Sequence, residues 1–80
     1  MNKVILYTKE RCPLCVEAKE LLHLFQDVYD FSIEEVDIYQ DDELLEKYQL
    51  TIPVIEIGGE LLDASTIDYL NVENLLQKKY

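Results

Sequence analysis

Val4-Ile5-Leu6-Tyr7-Thr8-Lys9-Glu10-Arg11-Cys12-Pro13-Leu14-Cys15 is the stretch on which the fold turns. Its first four residues form an unbroken apolar run, which suits a strand covered on both faces of a sheet. Thr8 to Arg11 break that run with polar side chains. Proline lacks an N–H, and the first turn of a helix does not need one, so Pro13 predicts a helix start. From there Leu14, Ala18, Leu21, Phe25 and Val28 recur at spacings of three and four, with Glu17, Glu20 and Asp27 between them. That period predicts an amphipathic helix of about four turns.

Outward from this stretch, Phe31 to Ile38 is rich in β-formers, and Glu34-Glu35 interrupts its alternation as in an edge strand. Asp41 and Asp42 supply a cap and first-turn negative charge for a second helix. Its apolar face is Leu44, Leu45 and Tyr48, with Glu43 placed to pair with Lys47 one turn on. Thr51-Ile52-Pro53 stops that helix, because the residue before a proline is pushed to extended geometry. Val54 to Ile57 and Glu60 to Leu62 read as strands joined by Gly58-Gly59, a hairpin turn that needs positive φ. Asn71 is a good cap for a last helix carrying Val72, Leu75 and Leu76, which leaves Ser65 to Leu70 as a connection. The order is β-α-β-α-β-β-α. Two parallel strands with a right-handed crossover, followed by an antiparallel hairpin, give a four-stranded mixed sheet in an α/β sandwich of three layers.

The chain has 80 residues, which is one domain's worth, and about half of them are apolar, enough for an ordinary packed core. A bridge between cysteines three positions apart closes too short a loop to restrain the unfolded chain much, so the pair is not read as a structural staple. The run at the N-terminus meets Lys9, Glu10 and Arg11 at once, unlike a signal peptide. No apolar segment approaches the roughly 20 residues that cross a bilayer. A soluble monomer of the reducing cytoplasm is the expectation. Seventeen Asp and Glu against seven Lys and Arg give a net charge of -10, which excludes nucleic acid and an anionic membrane surface as partners. Against that acidity, Lys9 and Arg11 both lie within three residues of Cys12.

Cys-x-x-Cys by itself fits zinc, iron–sulfur and redox sites alike. Its position decides among them. A sulfur at the mouth of a helix faces unpaired N–H groups and the positive end of the helix dipole, and both favour thiolate. Cys12 is therefore expected to be the nucleophile, and Cys15, one turn inside the helix, the resolving thiol. Thiols in such motifs fall to about 3.5–7.5 from a free value near 8.5. A structural zinc site needs four ligands, whereas the chain offers two cysteines and one histidine, His23, which is read as a solvated surface residue. No metal site is expected within one chain.

Tyr7-Thr8-Lys9, Cys12-Pro13-Leu14-Cys15, Thr51-Ile52-Pro53 and Gly58-Gly59 fall in the order and approximate spacing of the glutaredoxins. The resemblance runs from Lys3 to the final helix. Cys-x-Leu-Cys followed by Glu17-Ala18-Lys19 is most similar to a branch of short glutaredoxin-like proteins. It implies a thioredoxin-like fold of glutaredoxin type with a cis peptide bond before Pro53. That bond would turn the Ile52 backbone toward the cysteines, so that its N–H and C=O pair with an extended thiol substrate. On the residues alone, Thr51-Ile52-Pro53 is equally an ordinary helix stop. Lys9 matches the family's lysine near the glutathione carboxylate.

The expected substrate contacts are thus Lys9, Arg11, Pro13, Leu14, Thr51, Ile52 and Pro53, around a catalytic pair Cys12 and Cys15. The chain departs from the family at three places. Leu14 stands where Tyr is common, no acidic pair follows Gly59 before Asp63, and the second helix lacks a matching basic or amide residue. These departures bear on glutathione and leave disulfide exchange intact. The expected function is thiol–disulfide exchange with a disulfide-containing protein or small thiol. No bound cofactor is expected, and glutathione or another low-molecular-weight thiol is the co-substrate considered. A donor of thioredoxin-reductase type is the variant reading, although the Trp-Ser-Gly-Phe-Arg-Pro segment usual in that group is absent. A non-catalytic scaffold carrying an iron–sulfur cluster, or acting as a redox-sensitive binding module, is the alternative; Pro13 tilts against the cluster.

Overall fold

The structure is a computed structural model and describes residues 2–80. Its elements are β1 (Lys3–Thr8), α1 (Pro13–Phe25), β2 (Ser32–Asp37), a 3-10 turn (Ile38–Gln40), α2 (Asp42–Tyr48), β3 (Val54–Ile57), β4 (Glu60–Leu62) and α3 (Tyr69–Lys79). The sheet order is β2-β1-β3-β4. β1 runs parallel to β2 and antiparallel to β3, and β3–β4 is an antiparallel hairpin. β2 lies at an edge, as Glu34-Glu35 suggested. Gly58 (φ 55°) and Gly59 (φ 88°) both take positive φ in the two-residue turn, the property that the tight hairpin demands.

Strand alternation divides the core in two. Val4 and Leu6 of β1 meet Ile57 and Ile55 of β3, and all four are buried with Ala18, Leu22 and Phe25 of α1 and Val72 and Leu76 of α3. On the opposite face Tyr7 pairs with Val54 and packs with Ile38, Tyr48, Leu44 and Leu45. The Tyr7 and Tyr48 rings lie 4.7 Å apart. Burial there, with Glu56 nearby, raises the Tyr7 pKa. β1 is thus covered on both faces, but the α2 side carries the smaller cluster.

Three sequence expectations shift. α1 ends at Phe25, and its buried face is Cys15, Ala18, Leu22 and Phe25. Leu14 and Val28 are exposed, and Leu21 is only half-buried. Both stripes repeat at threes and fours and share Ala18 and Phe25, so periodicity could not separate them. The second helix is capped by Asp41, whose Oδ1 accepts the Glu43 N–H at 2.9 Å. Lys47 does not pair with Glu43; its Nζ sits 5.3 Å from the centre of the Tyr48 ring. Finally, α3 starts at Tyr69 and not after Asn71. Asp68 is its cap, accepting the Asn71 N–H at 2.7 Å, while Asn71 Nδ2 donates back to the Thr66 carbonyl at 2.8 Å. Tyr69 and Leu70 are more than half exposed, yet the Tyr69 ring lies 4.7 Å from that of Phe25, and Tyr69, Val72 and Leu76 share the helical spacing i, i+3, i+7. At the far end the Tyr80 hydroxyl donates to the Lys3 carbonyl at 2.6 Å, tying α3 to the start of β1.

Candidate functional site

Buried on the sheet, β1 delivers the chain to a short loop at its C-terminal end. Arg11 turns that loop at φ 56°, a left-handed conformation that costs a residue with a side chain roughly 1–2 kcal/mol. Cys12 then takes extended geometry (φ -119°, ψ 97°) and becomes the N-cap of α1, with Pro13 opening the first turn. Its Sγ accepts the Cys15 N–H at 3.1 Å, so one of the helix's free donors points at this sulfur. Cys12 and Cys15 are joined in a disulfide, with their Cα atoms 5.2 Å apart. The two sulfurs differ in access: Cys12 is half-buried, and Cys15 is only 3% exposed.

A cleft of about 620 Å³ opens beside the pair, between the β1–α1 loop, the first turns of α1 and the end of β2. Lys9, Arg11 and Pro13 line it, and so do Lys19, Glu35 and Asp37, to which the sequence reading assigned no role in the site. Lys19 Nζ is 2.9 Å from Glu35 Oε2. Among the described residues Lys9 and Arg11 make no ion pair, whereas Lys3, Lys78 and Lys79 each have one. Of the three cations without an ion pair among the described residues, Lys9, Arg11 and Lys47, two thus sit beside the helix N-terminus that holds Cys12.

A separate groove of about 220 Å³ lies between α1 and the loops bearing Pro53 and Ala64, and Leu14 and Pro53 share its wall with Ile67. The Ile52–Pro53 peptide bond is cis, as the family resemblance implied. Thr51 and Ile52 line neither depression. The Thr51 carbonyl accepts the Ala64 N–H at 3.0 Å and so ties the Pro53 loop to the β4–α3 loop. One expectation fails here. The Ile52 N–H already donates to the Tyr48 carbonyl at 3.1 Å, closing the end of α2, so only its carbonyl is left for a strand-like partner.

Asp63, the first acid after Glu60, is turned into its own loop. Its Oδ1 accepts from Ser65 N (2.9 Å), Ser65 Oγ (2.7 Å) and Thr66 Oγ1 (3.3 Å), and these bonds lower its pKa. Glu35 and Asp37 left one readable signal: with Ile33 they form an i, i+2, i+4 series on a single face of β2. Among the described residues no group of three or more His, Cys, Asp or Glu is arranged to hold a metal ion. No helix there is long and apolar enough to cross a membrane.

A mixed four-stranded sheet with a cysteine pair at the mouth of its first helix defines a thioredoxin-like protein, and that fold with its cysteine pair supports a redox-type function. Within that class the chain belongs to the glutaredoxin-like domain family (DUF836), which matches residues 3–77. Its backbone is similar to that of a structural-genomics target protein from X. campestris, with TM-score 0.75 and 29% identity over 94% of this chain and 96% of the other. The thioredoxin-like protein BC3987 is similar at TM-score 0.66 and 28% identity, covering 91% of this chain and 99% of that one. A glutaredoxin from Archaeoglobus fulgidus shares the fold at TM-score 0.63, with 18% identity over 96% of this chain and 88% of its own.

Proposed function

We propose that this protein is a dithiol–disulfide oxidoreductase of glutaredoxin type. The observation that carries this reading is the asymmetry of the pair, a half-buried Cys12 capping α1 beside a Cys15 that is 3% exposed. In the reduced protein, the Cys12 thiolate is favoured by the helix N-terminus and by the unpaired Lys9 and Arg11. It attacks one sulfur of a substrate disulfide and releases the other as a thiolate. Cys15 then attacks Cys12, the Cys12–Cys15 bond forms, and the second substrate sulfur leaves. Leu14 and Pro53 offer the substrate an apolar groove, the Ile52 carbonyl offers a hydrogen-bond acceptor, and Lys9 and Arg11 suit an anionic group.

The substrate is a disulfide-bearing protein or a small disulfide, met by a monomer in the cytoplasm. Electrons return from a low-molecular-weight thiol. Glutathione is one candidate for this role, although no acidic pair follows Gly59 before Asp63, whose Oδ1 is held by Ser65 and Thr66. A thioredoxin-reductase-type enzyme is the other donor to test. The decisive measurement is the alkylation rate of Cys12 against pH, in the reduced protein with Cys15→Ser. The expected profile titrates well below a free thiol; titration near about 8.5 sinks the proposal. Mixing the oxidised protein with glutathione, or with thioredoxin reductase and NADPH, identifies the donor.

A further inference from the structure

The two thiols of the pair meet different demands. Cys12 is stabilised as a thiolate by the helix end. Cys15 is almost wholly buried, and its own N–H points at the other sulfur. To attack a mixed disulfide it must lose a proton in a place that disfavours the charged form. Among the described residues no charged side chain is buried, so the acceptor has to reach Cys15 from the cleft that they share.

Three carboxylates line that cleft: Glu10, Glu35 and Asp37. Glu10 is exposed on the loop. Glu35 is engaged by Lys19 at 2.9 Å. Asp37 differs from both. Ile33 packs into the core beneath α1 and α3, and Glu35, two residues on, reaches α1. Strand alternation therefore sends Asp37 to that same face, opposite Thr8 at the end of β1. Its Oδ1 accepts the Tyr39 N–H at 2.9 Å, which fixes the carboxylate, while Oδ2 has no hydrogen bond or ion pair among the described residues. The charged and titratable groups around it are Lys9, Glu10 and Arg11 from the loop, Lys19 from α1, Glu35 on its own strand and the Tyr39 phenol.

We propose that Asp37 is the proton acceptor for Cys15 in the resolving step. The inference rests on the dithiol reading above. The Cys15 thiol gives its proton to the Asp37 carboxylate across the cleft that both line. The resulting thiolate attacks the Cys12 sulfur of the mixed disulfide, and the Cys12–Cys15 bond forms as the bond to the substrate sulfur breaks. The substrate sulfur leaves with the electron pair and takes a proton from solvent. The dithiol supplies both electrons, so no further oxidant or reductant is needed.

The test uses the reduced protein and dithiobis(nitrobenzoate), whose coloured thiolate is released once on attack by Cys12 and again on resolution by Cys15. Asp37→Asn removes the charge and keeps an oxygen for the Tyr39 N–H. The expected result is a second release slowed about tenfold at neutral pH, converging with wild type in alkali where Cys15 ionises unaided, while the first release is not slowed. Asp37→Glu is expected to restore part of the rate. An unchanged second release overturns the proposal. So does an acceleration at neutral pH, which would mean that Asp37 only repels the thiolate. A slowing that is equal at every pH also overturns it, because loss of the Tyr39 cap explains that pattern. Cys15→Ser separates the two ideas: a first release no faster than that of free cysteine sinks the dithiol reading itself.

Discussion

Truncating Leu22 and Leu14 in turn tests which face of α1 packs on the sheet. Leu22 is 0% exposed in the main core, and Leu14 is 57% exposed beside the cysteines. Leu22→Ala removes buried methyl groups and leaves a cavity, a change that costs about 2–5 kcal/mol. Leu14→Ala removes atoms that are more than half in water already, so its cost is roughly 1 kcal/mol or less. A domain of this size has on the order of 4–12 kcal/mol to lose. With a urea slope of roughly 1 kcal/mol per molar, Leu22→Ala lowers the unfolding midpoint by about 2 M or more, and Leu14→Ala by less than about 1 M. The assay is urea denaturation followed by far-ultraviolet circular dichroism on the oxidised protein. Equal losses, or a larger loss at Leu14, would refute the packing and favour the stripe through Leu14, Leu21 and Val28. Leu14→Ala should instead weaken exchange with a protein disulfide, because Leu14 shares its groove with Pro53.

Ser65→Ala removes the hydroxyl that donates to Asp63 at 2.7 Å, and so should move the Asp63 titration upward in carboxyl NMR. The pKa of Asp63 is lowered in the folded state, so its contribution to stability is fully present above the ordinary carboxylate value and fades as pH falls through the lowered one. An unmoved titration would mean that this hydroxyl does not hold the carboxylate. At the hairpin, Gly58→Ala puts a Cβ at φ 55° and 2.7 Å from the Lys79 stem, and Gly59→Ala puts one at φ 88° into open space. Each should cost at least about 1 kcal/mol from backbone strain alone, and a neutral result at either in urea denaturation contradicts the turn geometry.

Much of the fold was legible because local rules and the global arrangement agree. Pro13 started α1, Asp41 capped α2, and the paired glycines turned the hairpin in their sequence positions. The errors fall where two local readings were equally good. Asp68 and Asn71 are both residue types that cap helices, and beginning at Asn71 passed over Tyr69, which stands at helical spacing from Val72 and Leu76. Glu43 was in register with Lys47, yet the lysine lies over the Tyr48 ring.

The cysteine pair follows the same division. Sequence alone determined that Cys12 caps a helix after a buried strand and that Cys15 lies one turn inside it, because strand, proline and helix are consecutive in the chain. Only the tertiary structure decided what surrounds them. Placing β2 beside β1 brings Glu35 and Asp37, twenty or more residues away in the chain, to the cleft wall. Folding the Pro53 and Ala64 loops together gives Leu14 a groove, and closing α2 takes the Ile52 N–H. Residues distant in the chain meet through sheet register and helix packing, and a local pattern does not encode either one.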